Sequence, residues 1–198
     1  MAPEDRRAAL IAATLPLLRE YGAAVSTRQI AEAAGVAEGT IFGVFPDKVS
    51  LLRATLMAAF DTRPAADALA AIGTRAGLRE RLREAVTLLR TGMRANANLM
   101  AVPRELMKDD AEFFKQIMEG RHLIVDGLSA LIEPDRDRLR RSPKASAELL
   151  VVLIATTVHR GFGQIGEFGD MDDEEIVSVL LDGLLVRPPT TPSTESAS

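Results

Sequence analysis

An all-α fold follows from three features of the sequence. Ala, Leu, Arg and Glu dominate while aromatics make up only 4%, so propensity favours helix. Apolar residues recur at steps of three and four along most of the chain, the repeat of a helix that buries one face. No sustained apolar/polar alternation and no Asn-Gly hairpin signal occurs, and only the β-branched run before Gly161 could pass for a strand. With 198 residues and 47% apolar content the chain can form one larger domain or two small ones with a real core.

The first helix is expected over residues 5–21, where Leu10, Ile11, Thr14, Leu17, Leu18 and Tyr21 share a face and Gly22 closes the end. Pro16 removes the bond to the Ala12 carbonyl and predicts a kink rather than a break. The stretch from Ser26 to Leu52, STRQIAEAAGVAEGTIFGVFPDKVSLL, organises the rest of the chain. Ser26 with Gln29 fits a capping box for a helix burying Ile30, Ala31 and Ala34. Gly35 suits the left-handed turn after it, and Val36 plugs the corner. A second helix is expected from residue 38 to 45, with Glu38 on its positive end and Ile41 and Phe45 inward. Pro46 stops it, and Asp47 caps a third helix carrying Leu51, Leu52, Leu56, Met57 and Phe60. Two short helices about a Gly-containing turn make a helix-turn-helix, whose second helix can enter a DNA major groove. An ordinary three-helix bundle with a tight corner would have the same spacing.

The run IAEAAGV, the GTIF soon after it, and FPDK with its LL resemble the DNA-binding segment of the tetracycline-repressor (TetR) family of bacterial transcription regulators. The resemblance covers about residues 5–60. It implies DNA contacts from Ser26, Thr27, Arg28, Glu38, Gly39, Thr40, Phe42, Gly43 and Lys48, with Lys48 on phosphate. Arg6 and Arg7 stand where family members send a basic arm toward DNA, or form a solvated first turn. Phe42, Gly43 and Val44 depart from the family, which often carries Tyr, His or Arg, and Tyr there. Three donors are thereby lost.

Charge is not that of a generic nucleic-acid binder. The net charge is −4 and the isoelectric point about 5.3. Residues 1–63 hold seven bases (Arg6, Arg7, Arg19, Arg28, Lys48, Arg53, Arg63) against seven acids (Glu4, Asp5, Glu20, Glu32, Glu38, Asp47, Asp61). Binding must then use a few placed cations and helix N-termini.

Residues 61–64 mark a boundary, and five or six further helices are expected from 65 to 186. Leu78, Leu82, Val86, Leu89 and Met93 step along one. Residues 99–108, with Pro103, are expected to be short, and Asp109 or Asp110 caps a helix through Phe113, Phe114, Ile117, Met118, Arg121, His122, Val125 and Leu128. Residues 133–144 (EPDRDRLRRSPK) read as a solvated charged loop. Residues 149–158, LLVVLIATTV, are apolar all round and must be buried on more than one face. Asp172 and Glu175 fit a cap for a closing helix with Ile176, Val177, Leu180, Leu181, Leu184 and Leu185. These two over-wide helices predict an isologous homodimer through Leu150, Leu153, Ile154, Thr157, Ile176, Val177, Leu180 and Leu184, as in the resembled family. Residues 187–198 read as a disordered tail.

Other chemistry is poorly supported. Gly161, Gly163 and Gly166 match a dinucleotide fingerprint, but no parallel sheet surrounds them and a helix end permitting close packing accounts for them. With two histidines, no Cys, no GxSxG and no HExxH, no catalytic residue, cofactor or metal is expected. His122 and His159 lie on apolar helices as core or pocket residues. Leu89, Met93, Met100, Met107, Phe114, Met118, His122, His159 and Phe162 either fill the core or line an effector cavity, and the resemblance favours the cavity. MAPEDRRAAL is no secretory signal, and residues 149–158 are too short to span a bilayer, so a cytoplasmic location is expected.

The chain is thus expected to be all-α, with an N-terminal three-helix helix-turn-helix DNA-binding domain at 1–63, a ligand-binding and dimerisation bundle at 64–186, and a tail at 187–198. It would be a non-enzymatic transcription regulator, a repressor released from a palindromic DNA operator by a small apolar or amphipathic effector. The rival is an all-α carrier or enzyme that does not bind DNA, favoured by the acidic balance and the donors lost at Gly43 and Val44.

Overall fold

The computed structural model describes residues 3–101, 110–158 and 171–184, with side chains described for all of these but Met100, Ala101 and Leu184. Among the described residues there are nine α-helices and no strand: α1 (Pro3–Tyr21), α2 (Thr27–Ala34), α3 (Glu38–Phe42), α4 (Lys48–Ala59), α5 (Arg63–Ile72), α6 (Leu78–Ala95), α7 (Ala111–Ile132), α8 (Pro143–Val158) and α9 (Asp173–Leu184). No described helix is long and apolar enough to cross a membrane.

Helix α1 runs as one element through Pro16 and ends at Gly22, whose φ of 58° places it in the left-handed region. The capping box forms as the sequence predicts. Gln29 N–H donates to Ser26 Oγ at 3.2 Å, and Ser26 N–H donates to the Gln29 side-chain oxygen at 2.8 Å. Gly35, at φ 66°, terminates α2. Helix α3 is shorter than predicted, ending at Phe42 rather than at Phe45. Gly43 comes next as its cap, a residue that contributes little to helix propagation, and Pro46 forbids a longer run. The N–H groups of Val44 and Phe45 both turn back to the Ile41 carbonyl, at 3.0 and 2.8 Å, so Phe45 still points inward and is 1% exposed. Asp47 caps α4 by accepting from Ser50 N–H at 2.7 Å, a bond that chiefly holds its carboxyl below the ordinary range.

Two cores result. One joins α1 to α4 through Leu10, Leu18, Ile30, Ile41, Phe45, Leu51 and Leu56. The other joins α5 to α9 through Leu69, Leu82, Val86, Leu128, Leu150, Ile154, Ile176 and Leu180. Leu99 and Phe113, from beyond residue 63, complete the first core. Residues 133–144 are largely solvated, as expected, but are not a plain loop. Residues Glu133–Arg138 form a 3-10 helix, α8 begins at Pro143, and Asp135 is drawn in to pair with buried Arg81 at 2.6 Å.

The junction between the cores is polar and specific. The C-terminal carbonyls of α4, which have no partner within the helix, accept from the second unit. Gln116 Nε2 donates to Met57 O at 2.7 Å, and Asn96 Nδ2 donates to Ala59 O at 2.8 Å. Asn96 Oδ1 accepts from Arg19 Nη2 at 2.8 Å, so one side chain ties α1, α4 and the end of α6 together. Phe60 packs edge-on to Phe113, with centroids 5.7 Å apart, and Arg53 pairs with Asp110 at 3.2 Å. Helix α7 approaches the α4–α5 corner so closely that a Cβ on Gly120 would stand 2.5 Å from Thr62 Oγ1 and 3.0 Å from its Cγ2. Gly120→Ala is therefore expected to cost about 1–3 kcal/mol in urea unfolding, most of it restored by adding Thr62→Ala. A neutral single variant would mean that the corner yields freely.

Candidate nucleic-acid interface

The surface formed by α2, α3 and the start of α4 is assembled from local devices. Thr27 Oγ1 donates to Glu38 Oε1 at 2.5 Å, joining the first turns of α2 and α3. Lys48 Nζ donates to the Ala23 carbonyl at 2.9 Å, pinning the start of α4 to the turn after α1. The Arg7 guanidinium lies over the Phe45 ring, 4.4 Å from its centroid, so α1 is stapled to the α3–α4 turn by a cation–π contact. Three contacts between residues distant in sequence thus fix the attitude of a five-residue helix that has little stability of its own.

Outward from this frame stand Arg6, Ser26, Arg28, Glu38, Gly39, Phe42 and Gly43, all exposed, with Thr27, Thr40 and Lys48 half-buried. Phe42 is 51% exposed on an otherwise solvated surface. Beyond its chain neighbours and the backbone of its own helix, Gly39 has no protein atom within 4 Å of where its Cβ would be, and its φ is not positive. Neither packing nor backbone geometry within the protomer requires a glycine there. Arg28 makes no ion pair among the described residues. Sequence reasoning missed the inward engagements of Lys48, Thr27 and Arg7, whose partners lie far along the chain.

Of the residues predicted to line an effector cavity, the described ones are not gathered together. Leu89 is 7% exposed in the second core, with Met93 half-buried beside it. Phe114, Met118 and His122 face solvent on α7, the first two at 54% and 51% exposure, so they line no interior cavity and His122 is not a core histidine. The inward face of that helix is taken instead by Phe113, Ile124, Val125 and Leu128. Met107, His159, Phe162 and the Met100 side chain lie outside the described residues, as do the glycines at 161, 163 and 166 and the tail at 187–198. A cleft of about 260 Å³ opens beside the junction, but its lining of Asp61, Arg63, Glu112, Gln116 and Glu119 is polar, unlike the apolar cavity expected. No cluster of three or more His, Asp or Glu able to hold a metal occurs among the described residues.

The predicted dimer residues also need correction. Leu150, Ile154, Thr157, Ile176, Val177 and Leu180 are each no more than 8% exposed, inside the protomer's own core. They form the inner faces of α8 and α9; in α8, whose residues 149–158 are apolar all round, the sequence carries no signal for which face turns inward. Leu153 is half-buried, and the Leu184 side chain lies outside the described residues. The apolar side chains that do face solvent are Leu149, Val152 and Val179, at 48%, 51% and 50% exposure.

Comparison with known proteins bears on this surface directly. Residues 10–55, spanning α1 to most of α4, match the family model described as bacterial regulatory proteins, tetR family. No curated protein matches the chain. Among solved structures, a tetR-family transcriptional regulator from Streptomyces coelicolor superposes with a TM-score of 0.66 at 21% identity, over 92% of this chain and 81% of that one. A transcriptional regulator from Rhodococcus sp. Rha1 gives 0.65 at 19% identity, over 95% and 100%. A protein described as a TetR-family transcriptional regulator from Mesorhizobium loti gives 0.64 at 14% identity, over 94% and 100%. At these identities the likeness concerns the fold, while the match of residues 10–55 concerns the helix-turn-helix itself. On that match residues 10–55 carry a helix-turn-helix of the kind found in bacterial regulatory proteins of the tetR family, and the chain is a DNA-binding transcriptional regulator.

Proposed function

We propose that this regulator acts as a homodimeric repressor, gripping a roughly palindromic operator with Arg28, Gly39, Thr40 and Phe42 and releasing it when a small apolar or amphipathic effector binds the α5–α9 bundle. Residues 1–63 would hold the DNA-contacting unit and 64–186 the effector and dimer unit. The observation that carries the DNA-contacting surface is Gly39, a glycine the protomer does not itself need, beside exposed Phe42. A close-approaching duplex supplies the missing reason for it. Phe42 then meets a sugar or a thymine methyl, and Arg28 meets phosphate or a base edge. Lys48 reaches phosphate only with the donors its bond to Ala23 leaves over. Ser26, Thr27 and Glu38 set the orientation of the two helices, and Arg6 and Arg7 flank them.

Release would work by population shift. Asn96 and Gln116 hold the α4 carbonyls, so a displacement of α6 or α7 is handed to α4 and changes the spacing of the two recognition helices. DNA selected from a random-sequence pool by the native protein provides the test. Arg28→Ala should lower affinity and reduce the salt slope by about 0.9 for each phosphate it no longer neutralises. Gly39→Ala should leave the fold as stable or about 0.5–1 kcal/mol more stable, yet weaken DNA binding about tenfold. If both variants bind as the native protein does, this surface is not the DNA-contacting one.

A further inference from the structure

Helix α6 carries two buried arginines, Arg81 at 2% exposure and Arg90 at 4%, about two and a half turns apart. Each nitrogen of Arg81 has an acceptor. Its Nε donates to Leu131 O at 3.0 Å, Nη1 to Ala76 O at 2.5 Å and Nη2 to Asp135 Oδ2 at 2.6 Å. Arg90 differs. Its Nη1 donates to Asp173 Oδ1 and its Nη2 to Met171 O at 2.8 Å, but among the described residues the buried Nε–H has no acceptor. Such a donor is costly to leave unmade, and the neighbouring arginine shows that the same helix can engage all three nitrogens of one. Met93, one turn further along α6, and Met171, whose carbonyl accepts from Arg90, pack against the second core, both only partly buried and both adaptable in shape.

We propose that Arg90 is the polar anchor of the effector site, and that its Nε–H takes an uncharged oxygen acceptor, the carbonyl of a ketone, ester or amide on an otherwise apolar molecule. The charge around it selects that class. Asp173 already neutralises Arg90, its other oxygen accepts from Thr87, and Asp172, Glu174 and Glu175 crowd the same helix start. A ligand carboxylate would add a second anion next to Asp173, whereas a carbonyl completes the guanidinium without one. This assignment rests on the ligand-responsive reading of the regulator.

The full-length protein is titrated with two matched sets of probes: octane, methyl heptanoate and octanoate; then ethylbenzene, acetophenone and benzoate. The native protein, Arg90→Lys and Arg81→Lys are compared by calorimetry, with the arginine Nε–H resonances followed by NMR. In at least one set the carbonyl compound should bind about tenfold tighter than both its hydrocarbon and its carboxylate. That preference should fall to about twofold or less in Arg90→Lys, which keeps the charge facing Asp173 but lacks the Nε–H, and persist in Arg81→Lys. Equal binding of the hydrocarbon, preference for the carboxylate, an unchanged preference in Arg90→Lys, or no binding of any probe overturns the assignment; the last leaves a buried water as the occupant. DNA release separates the two readings. Carbonyl-selective binding that never alters DNA affinity keeps the anchor and removes the ligand-responsive regulator, while DNA release by hydrocarbon or carboxylate does the reverse.

Discussion

Replacing Asp135 by Ala is expected to cost about 3–5 kcal/mol of folding stability, read as a lower urea midpoint at unchanged slope. Arg81 is an interior guanidinium, and Asp135, with 14% of its side chain exposed, is its one ion-pair partner among the described residues. Without that carboxylate the Leu131 and Ala76 carbonyls remain as acceptors, but the charge is left uncompensated in a poorly polarisable interior. Asp135→Asn should cost less, since it preserves an acceptor, while Arg138→Ala, which removes only an exposed second partner, should cost under about 1 kcal/mol. The pH dependence has a definite sign. Burial pushes the Asp135 carboxyl up, but hydrogen bonds from Arg81 and Arg138 outweigh it and leave the group below its ordinary value. Asp173 is lowered in the same way by Thr87 and Arg90 against the effect of burial. A carboxyl lowered in the folded state contributes stability above its unfolded pKa of about 4 and loses it as pH falls through the folded value. Urea midpoints should therefore hold from pH 7 to about 5 and drop below about 4, with a smaller drop in Asp135→Ala. A cost under about 1 kcal/mol for Asp135→Ala would mean that the two carbonyls alone suffice for Arg81.

That pair also marks where the sequence stops being informative. Local devices were legible, because each joins residues a few positions apart. The Ser26–Gln29 box, the left-handed Gly35, the Asp47 cap and the Asp172–Glu175 cap all form as their spacing predicts. The tetR-like order of IAEAAGV, GTIF and FPDK was legible for the same reason, and the family model matches residues 10–55 around it. Contacts between distant positions were not legible. Nothing local in EPDRDR distinguishes a solvated Asp from one paired with an arginine 54 residues earlier. Asn96, whose partners are 77 and 37 residues away, carries no local signal at all, although it joins three helices. Periodicity assigned Phe114 and Met118 to the buried side of α7, but a helix with apolar residues on two faces has two admissible rotations, and only packing chooses between them. Helix α8 poses that problem in its strongest form.

In the proposed dimer, joint substitution of Leu149 and Val152 by Glu should yield monomers by sedimentation and weaken DNA binding by about two orders of magnitude or more. Both side chains are half-exposed on one face of α8, three residues apart, and Val179 of neighbouring α9 is equally exposed. No charged residue occurs between positions 149 and 158, so this surface has none of the devices that keep a solvated helix apart from others. A two-fold axis across it would bring each patch against its own copy, and the introduced carboxylates would then repel across the axis while losing hydration. Because neither side chain is needed inside the protomer, the thermal midpoint of the monomer should change little, and its helical spectrum should persist. The inner face supplies the opposite control. Leu150→Ala, at a position with no exposure, should cost about 2–5 kcal/mol of stability while the surviving folded protein stays dimeric. The DNA effect follows from linkage, since a dimer loses the entropy of association once for two half-sites and separate monomers lose it at each. If the double variant remains dimeric and binds DNA as before, the copies meet through another face, and α8 presents its leucine and valine to some other partner.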